Sequence, residues 1–255
     1  MVLAAGRGTR LAPFSDDRPK PSFPIGHQSL LHRAVAELQA HVDDVAVNIS
    51  SHPDWFRRHT PAGVRLFEEG SEPLGTAGAL RNMTDWIGGR DVVVLNADSV
   101  LFGDIAEFVS TPEPSSTQLL VALDRVAPDF DGLWRFTGLS KMTSEALGRI
   151  APTSDDLYHG LWKTQLSNGD ARLVPFKGLA VDCGTPGGLL AANLIESGGS
   201  TVVESGAVVE GEAVGCLLLD GAHVGAGERL RLSVVDAASR VALSAAGGGS
   251  GRSGR

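Results

Sequence analysis

Short unbroken apolar runs, spaced by stretches with helical periodicity, restrict the fold of this chain more than any other feature. Val45 to Ile49, Val64 to Phe67, Val92 to Leu95 and Leu119 to Leu123 read as buried-type strands. Between them, Ser29 caps a predicted helix in which Leu30, Leu31, Ala34, Val35 and Leu38 recur at helical spacing. Gly75 to Ile87 and Asp155 to Leu166 also read as helices, and Thr185-Pro186 opens another that runs to about Ser197. Met1 to Ala5, Gly132 to Leu139 and Arg172 to Phe176 supply further strands. Strands alternating with helices at this rhythm predict an α/β fold. Its Rossmann-like, mostly parallel sheet would carry helices on both faces.

The texture changes after Gly199, where the chain becomes rich in Val, Ala and Gly. Val202 and Val208, then Val224 and Leu230, lie six apart. This spacing resembles the hexapeptide repeat of left-handed parallel β-helices. The expected organisation is a domain over 1–197, a short β-helix-like appendix over 198–243, and a disordered Gly/Ser/Arg-rich tail over 244–255. The exposed β edges of the appendix offer a route to a homo-oligomer.

The 255 residues carry a net charge of -8 with no block of like charge, so a nucleic-acid footprint is absent. Any positive charge needed for an anionic substrate must be concentrated in the site. Cys183 and Cys216 are the only cysteines and read as small buried groups, not as a disulfide or zinc set. The histidines form no metal-binding pattern, and no apolar run is long enough to span a bilayer. With no secretory signal either, a cytoplasmic enzyme or binding protein is expected.

The chemistry gathers in a few segments. Leu3-Ala4-Ala5-Gly6-Arg7-Gly8-Thr9-Arg10-Leu11 runs from a strand into a loop whose glycines let backbone N–H groups approach phosphate oxygens. Arg10, and Lys20 within Pro19-Lys20-Pro21, add fixed positive charge. The loop continues to Arg10 and Leu11 where a dinucleotide fingerprint needs a third glycine, and no G-K-[ST] marks a P-loop. Asp98 follows an apolar strand at its carboxyl end, where open α/β sheets bind ligands, and Asp182 ends another element. Either aspartate alone reads as a cap. Together, beside a phosphate loop, they suit Mg²⁺, which takes one or two protein oxygens plus phosphate oxygens and water.

These segments resemble the signatures of sugar-1-phosphate nucleotidyltransferases, the NDP-sugar pyrophosphorylases. Besides the N-terminal loop and its later Pro-Lys, the likeness covers Glu72-Pro73-Leu74-Gly75-Thr76-Ala77-Gly78-Ala79-Leu80, Asn96-Ala97-Asp98 and Val181-Asp182-Cys183-Gly184-Thr185-Pro186. It extends over roughly residues 1 to 197 and implies the nucleotidyltransferase fold. It also implies Mg²⁺-dependent transfer of a nucleotidyl group from an NTP to a sugar 1-phosphate, with release of pyrophosphate. By the same resemblance Asp98 and Asp182 would bind the metal, and Arg10 and Lys20 would stabilise the departing pyrophosphate. Leu3, Ala4, Ala5, Gly6, Arg7, Gly8 and Thr9, with Gly75 and Thr76, would hold the nucleotide, and Gly138 would line the sugar pocket. The Glu-Pro-Leu-Gly-Thr-Ala-Gly string most resembles mannose-1-phosphate guanylyltransferases, which use GTP. Uridylyltransferases, which use UTP, share much of the pattern and are the alternative.

One family segment is missing. The Glu-Lys-Pro that contacts the sugar and its phosphate has no counterpart between Asp124-Arg125 and Trp134-Arg135-Phe136-Thr137-Gly138. Arg135, Lys141 and Lys177 are the candidates to replace its charge. The gap also motivates a second class of function, a non-catalytic homologue that senses nucleotide sugars. An acyltransferase built on the C-terminal strands would need more coils than about 45 residues provide.

Overall fold

The computed structural model describes residues 1–111 and 116–243. The expected disordered tail, 244–255, lies outside the described residues. Backbone proximity divides the chain into two compact units, Met1–Gly184 and Thr185–Arg255.

The first unit is built on a seven-stranded sheet. From one edge to the other its strands are Ala171–Pro175, Thr117–Leu123, Trp134–Met142, Val92–Asn96, Val2–Leu3, Ala46–Ile49 and Arg65–Glu68. All neighbouring pairs are parallel except those made by Trp134–Met142, which runs against both of its neighbours. The apolar runs are continuous because both faces of the sheet are buried. Val92, Val94, Leu119 and Val121 pack on one side with Leu80, Met83, Leu161 and Trp162. Leu95, Leu120, Val47 and Ile49 pack on the other with Leu31, Val35, Leu38 and Phe108.

The local signals have physical counterparts. Ser29 Oγ accepts the His32 N–H at 3.2 Å and caps the helix Leu30–Gln39, whose Leu30, Leu31, Ala34, Val35 and Leu38 are all buried. The segment expected as one helix over 75–87 is two, Gly75–Asn82 and Thr84–Ile87, broken at Met83. The segment expected as a helix from Asp155 begins regular structure only at Tyr158, as one π-turn before the helix Lys163–Asn168. Asp155 and Asp156 are engaged elsewhere. The Asp155 carbonyl accepts the Ala77 N–H at 3.0 Å, and the Asp156 carboxylate accepts the His159 N–H at 2.8 Å.

One element has no counterpart in the sequence reading. Ser99–Phe102 and Leu179–Asp182 form a separate antiparallel pair, in which Asp182 stands opposite Ser99. It is this pair that positions the site.

The second unit starts with the helix Pro186–Glu196, capped by Thr185, whose hydroxyl accepts the Gly188 N–H at 3.1 Å. Short strands then stack in parallel rows. Val202–Val203 lies beside Leu217–Leu218, which lies beside Ser233–Val235; Val208–Val209 pairs with His223–Val224, and Glu212–Val214 with Arg229–Arg231. The last strand, Arg240–Ala242, is antiparallel to Ser233–Val235. Cys216, Leu218, Ala222, Val224 and Leu230 fill the interior, with Ala207 and Ala213 against them. A strict six-residue period does not describe these strands. Val208, six residues after Val202, is 52% exposed, and its neighbour Ala207 packs on the interior instead. Among the described residues no helix is long and apolar enough to cross a membrane.

Candidate active site

The site lies at the carboxyl ends of the central strands of the first unit. Val2–Leu3 hands over to Ala4, Ala5 and the exposed Gly6. Gly8 then adopts a left-handed φ of 69°, and Thr9–Leu11 closes a single 3-10 turn anchored by the fully buried Leu11. A second 3-10 turn, Lys20–Ser22, carries Lys20. Pro19 and Pro21 restrict its backbone, the Ser22 hydroxyl donates to the Pro19 carbonyl at 2.7 Å, and the buried Phe23 follows. The two turns touch: a Cβ on Gly8 would stand 3.1 Å from the Lys20 Cβ. Lys20 is therefore presented on a fixed frame.

A cleft of about 210 Å³ opens at this point. Leu3, Ala4, Ala5, Gly6, Lys20, Gly75, Thr76 and Asp98 are among the residues that line it. Gly75 has φ 72°, and a Cβ there would sit 2.0 Å from the Asp155 carbonyl oxygen, so the helix start packs too closely for any side chain. The Thr76 hydroxyl accepts the Leu157 N–H at 2.9 Å, which ties the same helix start to the segment before Tyr158.

The two aspartates come from opposite strands of the antiparallel pair. Asp98 immediately precedes Ser99–Phe102, Asp182 ends Leu179–Asp182, and the Cys183 N–H donates to the Asp98 carbonyl at 2.8 Å. Each carboxylate has a cationic partner. Lys20 Nζ makes a short ion pair with Asp98 Oδ2, and Arg10 donates to Asp182 Oδ2 at 3.1 Å. Asp182 Oδ1 accepts the Gly184 N–H at 2.7 Å. Partial burial alone would raise the Asp182 carboxyl, but the Gly184 N–H, Arg10 and Lys20 outweigh it and hold the group below its ordinary range. Gly184 permits this contact, since a Cβ there would stand 2.5 Å from the Arg10 guanidinium.

A metal could be held here by two hard carboxylate oxygen sets, one on each strand. Among the described residues no group of three His, Cys, Asp or Glu side chains could hold an ion. Two carboxylates beside an open phosphate-sized space suit Mg²⁺, which keeps its other positions for substrate oxygens and water. The chemistry of this donor set fits the group.

The remaining expected residues lie around this centre. Arg7 does not line the cleft but pairs at its rim with Glu72, both side chains being largely exposed. Gly138, at φ 90°, lies against Ser99; a Cβ there would come within 1.9 Å of the Ser99 hydroxyl, so the residue seats the Asp98 strand. A second cavity of about 110 Å³, beyond Asp182, is lined by Asp124, Arg135, Thr137 and Ser99. Of the three candidate replacement cations, Lys141 donates instead to the Val109 and Thr111 carbonyls, and Lys177 is nearly fully exposed, 4.0 Å from Glu107. Arg135 reaches the site, 3.3 Å from Asp124 and 3.8 Å from Asp182.

Sequence reasoning missed Asn48 and Glu69. Asn48 is the polar residue inside an otherwise apolar strand, and that interruption was the available signal. Its Oδ1 accepts the Ala4 N–H at 2.9 Å, and its Nδ2 donates to Glu69 Oε1 at 2.7 Å.

The Cys183 thiol is sealed at the junction of the two aspartates. Burial first, and the Asp98 and Asp182 charges next, push its pKa far up. At pH 8 the thiolate is therefore scarce, and a maleimide should leave native Cys183 unmodified while labelling both cysteines after denaturation. Mass spectrometry reads the result; labelling of native Cys183 at the rate of a free thiol would contradict the packing described.

The chain is similar in sequence and in fold to known proteins. The family model for nucleotidyl transferases matches residues 1–129, half of the chain. A bifunctional GlmU protein of Methanococcus vannielii is 30% identical over 111 residues, 43% of this chain and 27% of that protein. A mannose-1-phosphate guanyltransferase of Aspergillus fumigatus is 31% identical over 137 residues, 49% of this chain and 37% of its own. These matches span well under half the length of both relatives. The crystal structure of HddC from Yersinia pseudotuberculosis with GMP-PN shares the fold at a TM-score of 0.60 and 21% identity, over 75% of this chain and 96% of that one. The chain belongs to the nucleotidyl transferase family.

Proposed function

We propose that this protein transfers a nucleotidyl group from a nucleoside triphosphate to a sugar 1-phosphate, with GTP and mannose 1-phosphate as the preferred pair. The observation that carries this reading is the meeting of Asp98 and Asp182 across one antiparallel pair, beside the glycine loop and Lys20. The preference for GTP and mannose rests on the Glu72–Leu80 string and on the guanyltransferase likeness.

In this reading a phosphate oxygen of the sugar 1-phosphate attacks the α-phosphorus of the nucleotide. The bond to the β-phosphate oxygen breaks and pyrophosphate leaves, so no covalent enzyme intermediate is required. The protein's part is positioning and charge neutralisation. The N–H groups of the Gly6–Thr9 loop face the triphosphate, and Arg10 and Lys20 meet the charge that collects on the leaving pyrophosphate. Asp98 and Asp182 would hold Mg²⁺, which when bound neutralises charge on the α-phosphate. Binding of nucleotide releases Lys20 and Arg10 from those carboxylates and turns them toward phosphate oxygens. Each such charge-assisted contact is worth about 1.5–3 kcal/mol. Arg135, in the second cavity, supplies the positive charge that the absent Glu-Lys-Pro segment would have brought to the acceptor phosphate.

A pyrophosphate-release screen of four nucleotides against a panel of sugar 1-phosphates tests the reading, with Asp98→Ala as the inactive control. Lys20→Ala should lower turnover at least about tenfold, equivalent to ~1.4 kcal/mol of transition-state stabilisation; an unchanged rate removes Lys20 from the mechanism. Tight nucleotide-sugar binding without turnover on any acceptor would favour the sensor instead. Arg135→Ala should raise the KM for the sugar phosphate about tenfold or more and leave that for the nucleotide nearly unchanged. Equal effects on both substrates would remove Arg135 from the acceptor subsite.

A further inference from the structure

The second cavity, of about 110 Å³, is lined by charged groups from neighbouring strands. Arg135 stands opposite Ala122 in the antiparallel pairing of Thr117–Leu123 with Trp134–Met142. Asp124, two residues beyond Ala122, is therefore its diagonal neighbour on the same face. The Asp124 N–H donates to the Leu133 carbonyl at 2.9 Å, which carries the pairing one step past the strand end. On the other side, the Phe136 N–H donates to Asp129 Oδ2 at 2.8 Å. The backbone that bears Arg135 is set from both flanks.

A long guanidinium side chain, 45% exposed, still needs a partner to give it one direction. Two carboxylates are within reach. Arg135 Nη1 donates to Asp124 Oδ2 at 3.3 Å, while Nη2 stands 3.8 Å from Asp182 Oδ2. The two are unequal. Asp182 Oδ2 already accepts from Arg10 at 3.1 Å, and its Oδ1 takes the Gly184 N–H. Asp124 is fixed by its own turn: Oδ1 accepts the Val126 N–H at 2.8 Å and the Ala127 N–H at 2.9 Å, and Oδ2 faces Arg135. The Ala127 N–H foremost, then that of Val126, with Arg135 after them, hold the Asp124 carboxyl below its ordinary range. Asp124 is thus an immobile anion that draws the guanidinium away from Asp182. The fork carries five N–H donors, so a partner on one nitrogen leaves others for a bound anion.

We infer that Asp124 is a positioning residue: it holds the Arg135 guanidinium over the second cavity and off Asp182, where Arg135 meets the acceptor phosphate. This rests on the proposed function for the arrival of that phosphate at Arg135. The charge that stands in for the absent Glu-Lys-Pro segment then depends on a pair of residues, not on Arg135 alone. Without Asp124 the nearest anion to Arg135 is Asp182, and a guanidinium drawn there is lost to the acceptor.

Asp124→Asn separates this role from a structural one. Its amide oxygen still accepts the Val126 and Ala127 N–H groups, but its NH₂ group faces Arg135, so the turn survives and the ion pair does not. Kinetics are compared in the wild type, Asp124→Asn, Arg135→Ala and the double variant, with the sugar 1-phosphate that the wild type uses fastest. Affinity for mannose 1-phosphate is measured in parallel by calorimetry. Asp124→Asn should raise the acceptor KM about fivefold or more, and leave the nucleotide KM and the melting temperature nearly unchanged. In the Arg135→Ala background the same change should cost less than about twofold, because the group it positions is gone. An unchanged acceptor KM in Asp124→Asn, or a full second loss in the double variant, overturns the assignment while leaving nucleotidyl transfer intact. Should Asp124→Asn not fold, Asp124→Ser, whose hydroxyl also caps the turn, replaces it. If no acceptor supports turnover, the transferase reading fails, and the same four-way comparison of mannose 1-phosphate affinity still decides the role of Asp124; no binding to the wild type overturns it as well.

Discussion

Two carboxylates from distant parts of the chain share one location because Ser99–Phe102 and Leu179–Asp182 pair antiparallel. The proposed chemistry of the first unit depends on that pairing. The Cys183 N–H bond to the Asp98 carbonyl extends it by one step, and Gly138 lets the neighbouring strand press against Ser99 from behind. Such close backbone packing leaves little freedom for either aspartate to drift. The charges at this point repel one another and would be costly side by side, and the structure meets that cost with Lys20 and Arg10, one for each carboxylate. In the proposed function the same cations would turn to the anionic nucleotide, so one set of groups would serve both charge balances.

The chain is acidic overall but concentrates positive charge at this point. Arg10, Lys20 and Arg135 all lie within reach of Asp98 or Asp182, on three different segments. The turns bearing Arg10 and Lys20 are stiffened by buried anchors, Leu11 and Phe23, and by prolines on either side of Lys20. Rigid placement matters to the proposed function, in which the protein's part is positioning rather than bond-making.

Much of this was legible in the sequence. The unbroken apolar runs announced a sheet covered on both faces, and Ser29 and Thr185 marked helix starts that the structure caps through their side chains. Leu3 to Gly6, Lys20, Gly75, Thr76 and Asp98 line one cleft, while Asp182 lines the neighbouring cavity. What was not legible had non-local causes. Four-residue strands such as Ser99–Phe102 and Leu179–Asp182 have no period long enough to read, and their partner lies far along the chain. Glu69 carries no local mark, since its carboxylate is held in the cleft by Asn48 on the adjacent strand and by the Leu74 N–H. Arg135 could be named only as one of three cations; which one reaches Asp182 is decided by where Lys141 and Lys177 find their own partners. The six-residue spacing of Val202 and Val208 did not reveal that Ala207, not Val208, packs on the interior.

The central claim is that Asp98 and Asp182 act on one divalent cation as a unit. Mn²⁺ binding in the presence of nucleotide, followed by water-proton relaxation, measures it in the wild type, in Asp98→Asn, in Asp182→Asn and in the double variant. Shared ligation predicts that each single change weakens Mn²⁺ binding by about tenfold or more and that the double change costs much less than the two losses combined. Losses that simply add, or a single change without effect, would contradict it.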